Sequence, residues 1–94
     1  MQSLFSTGDL VVSTAGRDKG EIYLLIKVEG DKVYCVNGRS RKINNPKNKR
    51  TKHLKKVSTA ILMELAERIQ KGECVGNEKL FREIKAQTQK KQED

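Results

Sequence analysis

Polar and apolar positions alternate through the first half of this chain, and in the second half the apolar ones recur at every third or fourth place. Leu10-Val11-Val12-Ser13-Thr14 follows a Gly8-Asp9 turn signal and is rich in β-branched residues, which predicts a first strand. Residues 21–29 (EIYLLIKVE) form the longest strand candidate. Ile22, Leu24, Ile26 and Val28 share one face; Tyr23, Leu25 and Lys27 share the other. Gly30-Asp31 turns the chain, and residues 32–37 return as a third strand. Asn37-Gly38 fits a type I′ hairpin turn into a short fourth strand through Arg41-Lys42-Ile43. Pro46 has no ladder donor and restrains Asn45 before it, so residues 44–46 are a loop. A basic loop over 47–52 follows, then a fifth strand over 53–57 with Leu54 pointing inward.

Helical spacing begins after that. Ser58 or Thr59 is placed to cap a helix over 60–71, with Gly72 as its stop. Ile61, Leu62, Leu65 and Ile69 make its apolar stripe, while Glu64, Glu67 and Arg68 face away. Asn77 is placed to cap a second helix with Leu80, Phe81 and Ile84 on its inner face. From Lys85 the pattern fades, and residues 89–94 are expected to fray. Five short strands with tight turns predict a small barrel followed by two helices: mainly β with C-terminal α. The second and third strands are apolar on both faces, so the helices must cover either Tyr23 and Leu25 or Tyr34 and Val36 from outside. Residues 1–57 are read as the barrel and 58–94 as a helical extension packed on it.

Charge sharpens this picture. The chain has 94 residues, enough for one compact domain, and a net charge of +8. Residues 39–56 (RSRKINNPKNKRTKHLKK) hold nine Lys and Arg and no acid, so the basicity is a single local patch. A concentrated positive field gains counterion release when it meets a polyanion, which makes nucleic acid the default partner. Neither predicted helix carries the charge, so nothing is built to enter a major groove, and loops on a barrel suit folded RNA better than duplex DNA. The candidate RNA-contacting residues are Arg39, Arg41, Lys42, Lys47, Lys49, Arg50, Lys52, His53, Lys55 and Lys56, together with Arg17 and Lys19 from the loop between Gly16 and Gly20. The arginines can fork onto phosphates or stack on bases, whereas the lysines act as point charges. Only Phe5, Tyr23, Tyr34 and Phe81 are aromatic, so base stacking is expected to be minor.

Other chemistries find little support. His53 is the one histidine, flanked by Lys52 and Leu54 with no nucleophile or carboxylate partner, so it reads as a phosphate or local hydrogen-bonding group. There is no P-loop, no paired-carboxylate motif and no metal-ligand spacing; no enzymatic activity, metal or cofactor is expected. Cys35 and Cys74 are too few and too far apart for a disulfide framework or zinc site, and both read as reduced thiols used as small apolar side chains. No run approaches the roughly 18 apolar residues of a membrane span. The Met1–Phe5 start lacks the character of a secretory signal, so the expected location is the cytoplasm.

The pattern Gly8-Asp9-Leu10-Val11-Val12 with Gly16-Arg17-Asp18-Lys19-Gly20 resembles the KOW motif, in which apolar strands flank a G-x-x-K-G loop; Gly20 matches its central glycine. The Asn37-Gly38 turn and the Pro46-Lys47 to Lys52-His53-Leu54 segment are similar to the short KOW proteins of the large ribosomal subunit. This resemblance covers roughly residues 8 to 57. It implies an SH3-like barrel, RNA binding (ribosomal RNA above all) and association with the ribosome in translation. Other KOW modules dock proteins, so the alternative is an adaptor of the transcription or translation machinery with a partner at the C-terminal helices. Many KOW motifs carry a further glycine where this chain has Tyr23, an aromatic that either packs under a helix or stacks on a base.

Overall fold

The structure, a computed structural model, describes residues 4–92, with side chains as far as residue 88. Strands β1 (Leu10–Ser13), β2 (Ile22–Glu29), β3 (Lys32–Val36), β4 (Lys47–Arg50) and β5 (Leu54–Ser58) precede helices α1 (Met63–Gln70) and α2 (Asn77–Gln92). The strands form one antiparallel sheet in the order β4-β3-β2-β1-β5, leaving β4 and β5 as its two edges. One 3-10 turn, Thr51–His53, carries the chain from edge to edge. The sheet curls strongly. Lys49 on β4 donates to Ser13 Oγ on β1 at 2.7 Å, although the two strands stand three places apart and a flat sheet would separate them by about 14 Å.

Each face of the sheet has its own core. On one, Leu10, Leu24, Ile26 and Val36 pack beneath Leu62, Leu65, Ala66 and Ile69 and against Leu80 and Ile84 of α2. On the other, Val11, Tyr23, Leu25, Val33, Cys35 and Leu54 pack on one another inside the curl. The helices thus cover Tyr34 and Val36, the second of the two pairs, while Tyr23 is buried in the other core, neither under a helix nor open to a base. A bulge explains one further difference. Leu25 pairs with Cys35 but Lys27 pairs with Tyr34, so Ile26 is an extra residue on β2. Beyond it the alternation inverts, and Val28 joins the Tyr23 face, not the Leu24 face.

The expected fourth strand, Arg41-Lys42-Ile43, is irregular, and the pairing partner of β3 is instead the stretch read as a basic loop. The Asn37-Gly38 turn is not type I′, which needs positive φ at both residues; here only Gly38 has it (φ 79). The Asn37 side chain organises the bend, its Oδ1 accepting from the Arg39 and Arg41 amides at 2.9 and 3.0 Å. Gly38 approaches the Asn77 backbone so closely that a β-carbon would collide with it. Asn77 Oδ1 accepts from the Ile43 amide at 2.7 Å, pinning α2 to the same loop.

The first helix begins three residues later than expected. Ser58 belongs to β5, with its buried hydroxyl lacking a partner among the described residues, and Leu62 precedes α1 without a side-chain cap. The reversal is held by Asp9, fully buried, whose carboxylate accepts from the amides of Ser6 and Ala60 while the Gly8 carbonyl accepts from Leu62. Ile61 consequently lies outside the stripe and is exposed. At the other end Gly72 and Glu73 donate to Ile69 and Arg68, closing α1 as the glycine stop required. Helix α2 continues through the region expected to fray as far as Gln92, and Glu93 and Asp94 lie outside the described residues. Cys35 is buried as expected; Cys74 is exposed and does not serve as an apolar filler. Among the described residues no helix is long and apolar enough to cross a membrane.

Candidate nucleic-acid interface

The loop from Thr14 to Glu21 reverses the chain between β1 and β2. Its middle acid, flanked by Arg17 and Lys19, turns inward. Asp18 accepts from Ser13 Oγ and the Tyr23 hydroxyl, each at 2.8 Å, and from the Lys49 ammonium at 2.9 and 3.0 Å. Lys47 adds a longer ion pair at 3.4 Å. Partial burial alone would push the Asp18 carboxyl up, but the hydrogen bonds from Lys49, Tyr23 and Ser13 outweigh it and hold the group well below the usual carboxylate range. Burial, reinforced by the Asp18 charge, pushes the Tyr23 hydroxyl well above its ordinary value. Tyr23 is thus a buried structural donor, not a platform for a base.

Lys49 is correspondingly removed from the surface. Its side chain is 7% exposed and its ammonium is spent on Asp18 and Ser13. Of the residues singled out for RNA contact, it is the one the fold turns inward. Burying this charge is tolerable because Asp18 and Ser13 satisfy it with short hydrogen bonds.

Burying Asp18 leaves its neighbours outside. Arg17 and Lys19 are exposed, and together with Arg41 and Lys47 they line a cleft of about 400 Å³ between this loop and the loop over residues 37–46. The cleft's two acids are both occupied: Asp18 as described, and Glu21 by Ser40 Oγ at 2.7 Å and Asn37 Nδ2 at 3.4 Å. Four cations therefore surround two carboxylates already tied into the fold. Arg39 stands in an adjoining cleft with its guanidinium 4.1 Å from the centre of the Phe81 ring.

The remaining candidates are dispersed. Lys42 is exposed on the 37–46 loop. Arg50 is exposed near Asp31 at 3.6 Å. Lys52 and His53 are exposed on the 3-10 turn, where the His53 carbonyl accepts from Thr14, and Lys55 is exposed on β5. Lys56 is half-buried, 3.3 Å from Asp9 and over the Phe5 ring. No protein-family model and no curated protein matches the chain. The reading of this surface accordingly rests on its geometry and charge.

Three residues that hold or shape the cationic loops and their surroundings were not singled out by sequence. Asp18 and Asp9 read as turn residues, yet each anchors a charge network. Phe81 read as plain core on α2, yet it is half-exposed beneath an arginine. The signal for Asp18 was a pair of polar-tipped residues, Ser13 and Tyr23, on either side of the loop that carries it and on the face of Val11 and Leu25.

Proposed function

We propose that the protein is a non-enzymatic, KOW-type RNA-binding protein that holds folded RNA, ribosomal RNA in the first place, on the cationic loops of an SH3-like barrel. The observation that carries this reading is the cleft between two loops, where Arg17, Lys19, Arg41 and Lys47 converge while both acids are engaged internally. Loops of this kind present point charges and guanidinium forks to an irregular phosphate array, and they contact backbone and shape more than base sequence. The strand order and the curl that brings β4 to β1 support the barrel assignment. The resemblance of residues 8 to 57 to KOW proteins supports association with the ribosome and a cytoplasmic location.

Binding to a structured RNA should weaken with salt at a log–log slope of about −4, the value for some five phosphates. Arg17→Ala, Lys19→Ala and Arg41→Ala combined should flatten that slope by roughly 2 to 3 without loss of fold. An unchanged slope in the folded triple variant overturns the reading. A second reading, a protein-docking adaptor, has the exposed Ile61 and Met63 in its favour. Retention on a protein partner after nuclease digestion of an extract would select it.

A further inference from the structure

The cleft beside the cationic one is built differently. It lies between the 37–46 loop and α2, encloses about 400 Å³, and has Ile22, Phe81 and Ile84 as an apolar floor with Arg39 and Lys85 at its sides. The guanidinium of Arg39 is already held over the Phe81 ring, so part of its side-chain freedom is lost before any ligand arrives. Arginine planes and aromatic rings are the surfaces on which unpaired bases stack. Glu21 and Ser40 line both clefts and form the ridge between them. One Glu21 oxygen is fixed by Ser40 and Asn37.

We propose that this cleft receives one unstacked nucleobase of a bound RNA, stacked on the Arg39–Phe81 pair, with Lys85 meeting a neighbouring phosphate. The inference rests on the RNA-binding reading and extends it. Phosphates running along Arg17, Lys19 and Arg41 would deliver a base across the Glu21–Ser40 ridge. Helix α2 then becomes one wall of the binding site as well as a cover for the sheet. Binding acquires a preference for unpaired nucleotides that a purely electrostatic surface would lack.

Two hairpin RNAs with a common stem test this, one with an intact loop and one whose loop nucleotides are abasic. Fluorescence anisotropy with the full chain should show the intact loop bound roughly 5- to 100-fold more tightly. Arg39→Lys keeps the charge but loses the stacking plane, and Phe81→Leu keeps apolar packing but loses the ring. Each should shrink the ratio of the two affinities, lowering binding of the intact loop by a larger factor than binding of the abasic hairpin, with the fold verified by circular dichroism. Equal binding of both hairpins by the wild type, or a preference retained in both variants, overturns the base pocket and leaves the RNA-binding reading standing. Binding of neither hairpin at low salt by folded protein overturns both.

Discussion

The two faces of the sheet are held by different physics. Under the helices, Leu24, Val36, Leu65, Ile69 and Leu80 are joined by apolar burial alone, a contribution that does not depend on protonation. Inside the curl, the aliphatic cluster of Val11, Leu25 and Val33 ends at an ionic knot of Asp18, Lys49, Ser13 and Tyr23. The first face tolerates any side chain of similar volume and shape. The second requires particular donors and acceptors, and in return it fixes the loop that carries Arg17 and Lys19. The contrast teaches that a lysine in a basic run can be scaffold while the arginine beside an acid is surface.

The largest expected effect comes from cutting the knot. Lys49→Met keeps the aliphatic stem but strands the Asp18 carboxylate with only Ser13, Tyr23 and the longer Lys47 contact, and should cost about 3 to 5 kcal/mol in denaturant unfolding. The wild type should also carry an acid signature. Because the folded Asp18 carboxyl titrates below its unfolded value, its contribution is complete above roughly pH 5 and is lost as the pH falls toward the folded value. Lys49→Met should flatten that loss below pH 4, since its main partner is gone. An Asp18→Asn and Lys49→Met double variant that recovers no stability relative to the Lys49 variant would argue against a coupled pair.

Next in size is Leu24→Ala, which opens a cavity in the helix-covered face and should cost about 3 kcal/mol. Here the diagnostic is the pH dependence. Leu24 belongs to the apolar cluster and not to the ionic knot, so the variant should lose stability by the same amount at pH 7 and pH 4, keeping the wild-type slope. A changed slope would mean that the two faces do not act separately.

How much of this was legible follows from the same division. The runs in β1, β2 and β3 were legible as strands and Leu80 and Ile84 on α2 as core, because burial selects residue type. Which face the helices cover was not, since β2 and β3 are apolar on both sides and the bulge at Ile26 inverts the alternation. The fourth strand was not legible. Its sequence KNKR contains no apolar residue, and its one buried position, Lys49 opposite Val33, places methylenes where an aliphatic side chain belongs and sends its ammonium on to Asp18. The start of α1 was obscured for a related reason: the amide of Ala60 is satisfied by Asp9, fifty-one positions earlier, and not by the local Ser58 or Thr59. Of the candidate site, the cations were legible as charge, but which of them would face solvent depended on two distant acids. The pairing of Arg39 with Phe81 depended on α2 docking against the 37–46 loop through Asn77.

The smallest effect is one of reactivity, and it separates the faces most finely. Cys35 lies in the curl with its thiol donating to the Lys47 carbonyl at 3.5 Å, and burial pushes it up to about 12; Cys74 is exposed. At neutral pH a thiol reagent should label one cysteine per folded chain rapidly and the second only as the curl opens. Labelling of Cys35 should accelerate more in Lys49→Met than in Leu24→Ala when denaturant is used to match the two in global stability. The first loosens the face that shelters the thiol, whereas the second loosens the face behind it. Equal acceleration would show that Cys35 is released only by unfolding of the whole sheet, making the ionic knot and the helix-covered core one cooperative unit.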